Sequence, residues 1–281
     1  MAFLEKLDRF YGTGECNRAG ESLEAFLEKY NPKKYDCPSN TVDMVVVRCR
    51  EKYRQWGQPL KVLMIKRGNH PSIGYWAVPG GFVELREDMD QAAARELEEE
   101  TGVKGLPLQQ LRTWGSYDRD PRWRVITTSY LALVEGELPV KAGDDAADAL
   151  WMDVELSLEP DPERKAKSEA DAKAESEAEL EAESEAEPEA KSEAESEAEP
   201  KTEAKADTEA EPGRTAEIWR LTLTNADRCI TAGARVKVSY NTSGVLAQEK
   251  YELLESDKIA VDHGCIITQA LLYLRKGKGS I

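Results

Sequence analysis

A mixed α/β domain is the fold class this 281-residue sequence predicts, and three observations carry it. Apolar, β-branched runs of strand length recur at 41–50, 61–68, 124–135, 148–156, 218–225 and 234–240. Segments with apolar residues at helical spacing interleave with them. One long stretch, 159–212, carries neither pattern and interrupts the series. Strands and helices that alternate in this way pack as layers around a shared core.

Residues 1–39 read as a helical extension. In it, "ESLEAFLEKY" (21–30) sets Leu23, Phe26 and Leu27 on one helical face, and "NPKKYDCP" ends the helix. The domain proper spans 40–158 and resumes over 213–281. "TVDMVVVRCR" (41–50) predicts a buried strand, and "KVLMIKRG" (61–68) a second one paired with it as a hairpin. "WAVPGGFVE" (76–84) mixes a short strand with Pro79, Gly80 and Gly81, and two glycines allow the backbone to approach another group closely. "REDMDQAAARELEEETG" (86–102) predicts a helix. Glu87, Asp88 and Asp90 suit its positive N-terminal end, Ala92 to Ala94 favour its interior, and Gly102 stops it. The last element, "DHGCIITQALLYLRK" (262–276), predicts a closing helix with Ile266, Ile267, Ala270, Leu271 and Leu274 on one side.

The formal charge of −16 is concentrated in one place. Residues 159–212 hold 21 acidic and 7 basic side chains, so the remainder of the chain is nearly neutral. This segment is built mostly of Glu, Ala, Ser and Lys, with Ser168, Ser176, Ser184 and Ser192 recurring every eight residues. It has no apolar face to bury, and its neighbouring glutamates repel, so it predicts a disordered or partly helical low-complexity acidic insert. Lengthening a surface loop to a few tens of residues costs only about 2 kcal/mol of closure entropy. The insert is therefore expected between two strands of one domain.

Overall acidity argues against a general nucleic-acid coat. Five cysteines without a C-x-x-C pair argue against both a disulfide framework and a structural zinc site, and predict free thiols. No run approaches the roughly 18 apolar residues of a membrane span, and the N-terminus lacks a signal-type apolar core. The expected location is the cytoplasm, with no membrane partner.

Candidate chemistry lies at the end of the 86–102 helix. Glu96, Glu99 and Glu100 stand at i, i+3 and i+4, which puts their carboxylates on one face. Anions in the last helical turn cost some tenths of a kcal/mol, about 0.3–1, and like charges add to this. Protonation or a bound cation is favoured as a result. Mg²⁺, with Mn²⁺ as the alternative, takes hard oxygen ligands and keeps room for water and phosphate oxygens. Such an ion clamps phosphate and helps make hydroxide from water.

The spacing extends this beyond an acidic patch. Gly81, Glu87, Arg95, Glu96, Leu97, Glu99, Glu100, Gly102 and Val103 fit G-x5-E-x7-R-E-U-x-E-E-x-G-U, where U is aliphatic. The pattern is the Nudix box (81–103), and the chain resembles the Nudix hydrolase family, more specifically its ADP-ribose pyrophosphatase-like branch. The resemblance implies an α/β/α sandwich with a mixed sheet and divalent-metal hydrolysis of a nucleoside diphosphate linked to another moiety, with ADP-ribose going to AMP and ribose 5-phosphate. Carried onto this sequence, it implies metal ligation by Glu96, Glu99 and Glu100 with the Gly80 carbonyl, and catalysis by Glu99 and Glu100. Glu87 and Arg95 would brace the loop against the helix, and Glu98 would face away. Family members often pair as dimers, which makes a homodimer the expectation.

Around the box the candidates are broader. Arg67, Arg119, Arg122 and Arg124 offer guanidinium forks for substrate phosphates. Trp114, Tyr117 and Trp123 offer rings for a nucleobase, and Asp118, Asp120, Asp144 and Asp145 are alternative bases. His263, before the last helix, reads as a capping or packing residue, and His70 as a turn residue outside the catalysis. Two other readings are a Nudix enzyme for a nucleotide sugar or nucleoside triphosphate, and a regulator that senses ADP-ribose. In related regulators a winged helix follows the segment equivalent to 262–275. This sequence stops at Ile281 with no basic recognition helix, which weighs against a regulator and against nucleic acid as partner. A scaffold built on the acidic insert is a third reading, opposed by the intact box.

Overall fold

The computed structural model describes residues 3–143, 146–160, 214–243 and 245–277. Residues 161–213, which contain nearly all of the expected insert, lie outside them, as do Asp144 and Asp145.

The described chain forms one ten-stranded mixed sheet with helices on both faces. Its strands are β1 (Ser39–Cys49), β2 (Leu60–Arg67), β3 (Trp76–Ala77), β4 (Gly80–Phe82), β5 (Gln109–Trp114), β6 (Val125–Glu135), β7 (Ala146–Leu158), β8 (Arg214–Asn225), β9 (Ile230–Asn241) and β10 (Gln248–Asp257). The main path runs β10-β9-β8-β7-β2-β1-β6-β5, with β3 beside β2 and β4 beside β1. The expected hairpin is present, with Val47 opposite Val62 and Cys49 opposite Leu60. Parallel pairing joins β1 to β6. Of the N-terminal extension, α1 (Leu23–Lys29) is helical, capped by the Ser22 hydroxyl, and most of the rest is turns.

Strand periodicity builds two cores. In β1, Val42, Met44 and Val46 point to one face, where they meet Leu63, Tyr130 and the helix α2 (Met89–Thr101) through Ala92, Ala93 and Leu97. Val45, Val47 and Cys49 point to the other, against the helix α3 (His263–Lys276). Successive side chains of a strand face opposite sides. A strand buried on both faces therefore reads as a continuous apolar run, which is how 41–50 reads. The mixed α/β layering is the one the sequence predicts, and the α/β/α order is the one the resemblance implies.

The closing helix differs from its expected one-sided pattern. Cys265, Thr268 and Leu272 are buried along with the predicted face. The cause is curvature of the sheet. Its two edge strands meet, as Arg112 on β5 donates to the Glu249 carbonyl on β10 at 2.9 Å and Trp114 packs edge-on against Tyr251. A helix wrapped by a curled sheet has little surface left for solvent.

Strands β5 and β10 are absent from the expected set. Their sequences, "QQLRTW" and "QEKYELLESD", are rich in polar residues because both are edges with one wet face. Strands β7 and β8 pair directly, Asp153 opposite Thr224 through Leu158 opposite Trp219, so residues 161–213 connect adjacent antiparallel strands. Arg214 lies several residues past the Ile218 carbonyl that accepts the Glu159 N–H at 2.8 Å. At about 3.3 Å per residue this overhang needs a linker of roughly eight residues. Replacing 161–213 by such a linker is expected to leave the thermal midpoint within a few degrees, since the closure entropy changes by about 2 kcal/mol and in the stabilising direction. A scanning-calorimetry midpoint that drops by ten degrees or more would show the segment to be structural.

Candidate active site

The site forms where the glycine turn of β4 lies on β1 and on the end of α2. Backbone pairing sets Gly80 opposite Asp43 and Gly81 opposite Val42. Neither position has room for a side chain. A Cβ on Gly80 would lie 2.2 Å from the Val42 carbonyl oxygen, and one on Gly81 would lie 2.3 Å from the Glu96 carboxyl carbon. The close approach anticipated for these two glycines is thus toward the protein's own strand and carboxylate.

Helix α2 begins where Gln91 Oε1 accepts the Asp88 N–H at 3.1 Å, one arm of a capping box. It ends at Gly102, left-handed at φ 72°, whose N–H reaches the Glu98 carbonyl. The N–H groups of Lys141 and Gly143 satisfy the Thr101 and Glu100 carbonyls. These bonds fix the last turn, and with it the direction of its three carboxylates.

The structure divides those carboxylates instead of crowding them. Glu100 is buried, and its Oε2 accepts the Gly80 N–H at 2.8 Å. Burial, with Glu96 and Asp43 adding repulsion, pushes its carboxyl up to about 8, against the pull of the Gly80 N–H and Arg67. Glu96 is half-buried against Gly81, and burial raises it too, although Arg95 donates to it at 2.8 Å. Glu99 is largely exposed and accepts from Arg95 at 2.8 Å. Arg95 also donates to both oxygens of Glu87, at 2.8 and 2.9 Å, and to the Phe82 carbonyl. Glu87 holds the Arg95 guanidinium above its usual range, and Arg95 holds Glu87 below its own. Loop and helix are therefore braced by this one side chain. Glu98 points elsewhere, to Lys104.

Among the described residues no three acidic, histidine or cysteine side chains are already gathered as metal ligands. The donor chemistry nevertheless fits a hard cation. Two half-buried or buried carboxylates, both raised, face one cleft, and neutralising them by a cation removes the cost of burying their charge.

That cleft has a volume of about 410 Å³. Glu96, Glu100, Asp43, Asp120, Arg67, Arg119 and Arg122 supply its charged walls, which places Asp120 alone of the candidate loop bases in the lining among the described residues. Arg67 is half-buried, with its Nε on the Pro71 carbonyl at 2.8 Å. Arg119 is nearly buried and forms a two-pronged pair with Asp262 at 2.8 and 3.0 Å, 3.7 Å from Asp43. Arg122 forks onto Asp120 at 2.8 and 3.0 Å and lies over the Phe82 ring. That bond is the main reason Asp120 sits below the usual carboxylate range.

Several candidates fall away from the cleft. Arg124 donates to the Gly115 and Ser116 carbonyls and closes the base of the 115–124 loop, outside the cleft lining. Trp114 gives its indole N–H to Ser129 and packs on Tyr251, so it is part of the core in place of a base-stacking platform. Tyr117 and Trp123 are exposed, as is Asp118. His70 does line the cleft.

Two residues in the cleft have no site role in the sequence analysis: Asp43 is not singled out there, and His263 reads as a capping or packing residue. Asp43 is buried beside Gly80, and a carboxylate inside the apolar run "TVDMVVV" was the available signal. His263 is buried, accepts the Val78 N–H at Nδ1 at 3.1 Å, and also lines the cleft. All five cysteines are free, as expected. Among the described residues no helix is long and apolar enough to cross a membrane.

Residues 40–173 match the NUDIX domain model. An ADP-ribose pyrophosphatase of Methanocaldococcus jannaschii is 46% identical over 95 residues, 34% of this chain and 55% of that protein. A protein of Acinetobacter baylyi described as the ADPR responsive transcriptional repressor NtrR is 35% identical over 142 residues, 50% of this chain and 54% of its own length. The chain thus spans about half the length of these two relatives. The crystal structure of a MutT/nudix family protein from Enterococcus faecalis aligns with a TM-score of 0.51 at 27% identity, covering 95% of this chain and 73% of that one.

Proposed function

The chain belongs to the NUDIX domain family, and on that premise we propose that it hydrolyses the diphosphate bond of ADP-ribose or a close relative, yielding AMP and a sugar phosphate. The observation that carries the reading is the glycine turn seated on Glu96 and Glu100 in a cleft that also presents guanidinium groups. Arg67 and Arg122 pair with phosphate oxygens, for which forked guanidinium donors are suited. Arg119 is nearly buried in its pair with Asp262 and holds the cleft wall, whereas Arg122 is half exposed beside its pair with Asp120. Water attacks one phosphorus, the P–O bond to the bridging oxygen breaks, and Glu100 takes the proton from the attacking water. A divalent cation such as Mg²⁺ or Mn²⁺, held by Glu96, Glu99, Glu100 and the Gly80 carbonyl, would neutralise the phosphate charge and acidify water. Incubation with ADP-ribose, nucleotide sugars and nucleoside triphosphates, with Mg²⁺ or Mn²⁺, tests the reading by chromatography of the products. AMP from ADP-ribose is the expected result, and no AMP with either metal would overturn it.

The repressor among the relatives supports a second reading, a sensor that binds an ADP-ribose-type ligand without turnover. Saturable ligand binding with unchanged ligand after long incubation would favour it, as would sequence-specific retention of DNA at physiological salt.

A further inference from the structure

His263 is the first residue of α3 and lies on the cleft wall shared by Asp43, Arg67, Glu100 and Arg119. Its Nδ1 accepts the backbone N–H of Val78 at 3.1 Å. A backbone N–H can only donate, so Nδ1 carries no proton and the single proton of the neutral ring is on Nε2. Burial acts in the same direction and lowers the ring's affinity for a second proton. The tautomer is therefore set by the fold.

The Nε2–H group has no acceptor among the described residues. Nδ1 is taken by Val78 and His263 lines the cleft, which leaves the Nε2 edge of the ring for the cleft. A fixed, neutral donor that opens into a cleft is costly to leave unpaired once water is excluded. Its surroundings define the missing acceptor. Arg67 shares the wall, and its guanidinium together with a neutral N–H suits an oxyanion. The acidic neighbours Asp43, Asp262 and Glu100 do not accept from it.

We propose that His263 is a substrate-binding residue whose Nε2–H donates to a diphosphate oxygen of the bound nucleotide. The assignment rests on the reading of the cleft as a nucleoside-diphosphate site. It differs from a packing role, in which only the Val78 bond matters. The Val78 bond has a consequence of its own: Val78 precedes Pro79 and Gly80, so the same ring joins the glycine turn to α3 and aims a donor beside it.

The chain contains two histidines, which makes the test direct. In the full-length protein with ¹⁵N-histidine and EDTA to prevent turnover, long-range ¹H–¹⁵N spectra should show one ring protonated at Nε2 alone. A His70→Ala variant assigns the signals. Adding ADP-ribose is expected to shift the His263 Nε2–H resonance, and saturating binding with that resonance unmoved would overturn the proposal. His263→Asn keeps an acceptor near Val78 but loses the cleft-facing donor. It is expected to retain the fold and bind ADP-ribose about 10-fold more weakly by calorimetry, and unchanged affinity in a folded variant would also overturn it. If the wild-type protein itself binds no ADP-ribose, the site reading fails and this inference with it; binding by the wild type separates the two failures.

Discussion

Glu100→Gln is expected to lower kcat on ADP-ribose by about 10³-fold, about 4 kcal/mol in the barrier, while the protein stays folded. The amide can still accept the Gly80 N–H, so the turn remains in place. It cannot take a proton from water or offer a charged oxygen to a cation. Near-wild-type kcat in this variant would remove Glu100 from the chemistry. A second consequence follows from the position of the carboxyl, raised by burial from 4.5 to about 8. The folded protein holds this proton more tightly than the unfolded chain does. The stabilisation is complete below about pH 4.5 and is lost as pH rises toward 8. EDTA-treated wild type should therefore lose stability over that range relative to Glu100→Gln, which has no charge to bury. Urea midpoints of the two proteins at about pH 5 and about pH 8.5 measure this directly. A constant difference would show that Glu100 is not the group responsible.

The two glycines of the turn should respond differently to alanine. At Gly80 the new methyl group meets the Val42 carbonyl at 2.2 Å, and β1 cannot recede because it is hydrogen-bonded on both sides. Gly80→Ala is expected to cost about 1–3 kcal/mol in unfolding free energy, as overpacking does. At Gly81 the nearest atoms the methyl meets are those of the Glu96 carboxylate, the far end of a side chain. Gly81→Ala should change stability by less than about 0.5 kcal/mol. It should still lower kcat by about 10²-fold, because a displacement of about 1 Å in a ligand group is enough for that. Denaturant titration and kinetics on both variants test the contrast. Equal loss of stability would mean that Glu96 is held more firmly than a single arginine pair suggests.

What could be read before the structure was what depends on spacing. The strand runs gave the layers because a strand buried on both faces needs apolar residues at every position, as in Val45 to Val47. The helix end was legible because Gly102 has no side chain to oppose a left-handed turn. Edge strands β5 and β10 were missed since half of their surface faces water and their composition resembles a loop. Arg124 and Trp114 illustrate the other difficulty. A guanidinium or an indole near the box in sequence can as well close a loop or fill a core, and only the partners decide.

The sequence by itself determined the register of the box: which carboxylates share a helical face, which glycines precede them, and where the helix stops. Periodicity and left-handed backbone are local, so they are written in adjacent residues. The tertiary structure decided how those carboxylates differ. Glu100 is buried under Gly80, Glu96 lies against Gly81, and Glu99 stays at the surface with Arg95. Asp43 and His263 joined them only through the pairing of β1 with β4 and the bond from Val78 to α3. Burial and electrostatic environment depend on what lies opposite a residue, and for this site those neighbours come from stretches as far apart as 41–43, 119–125 and 261–263.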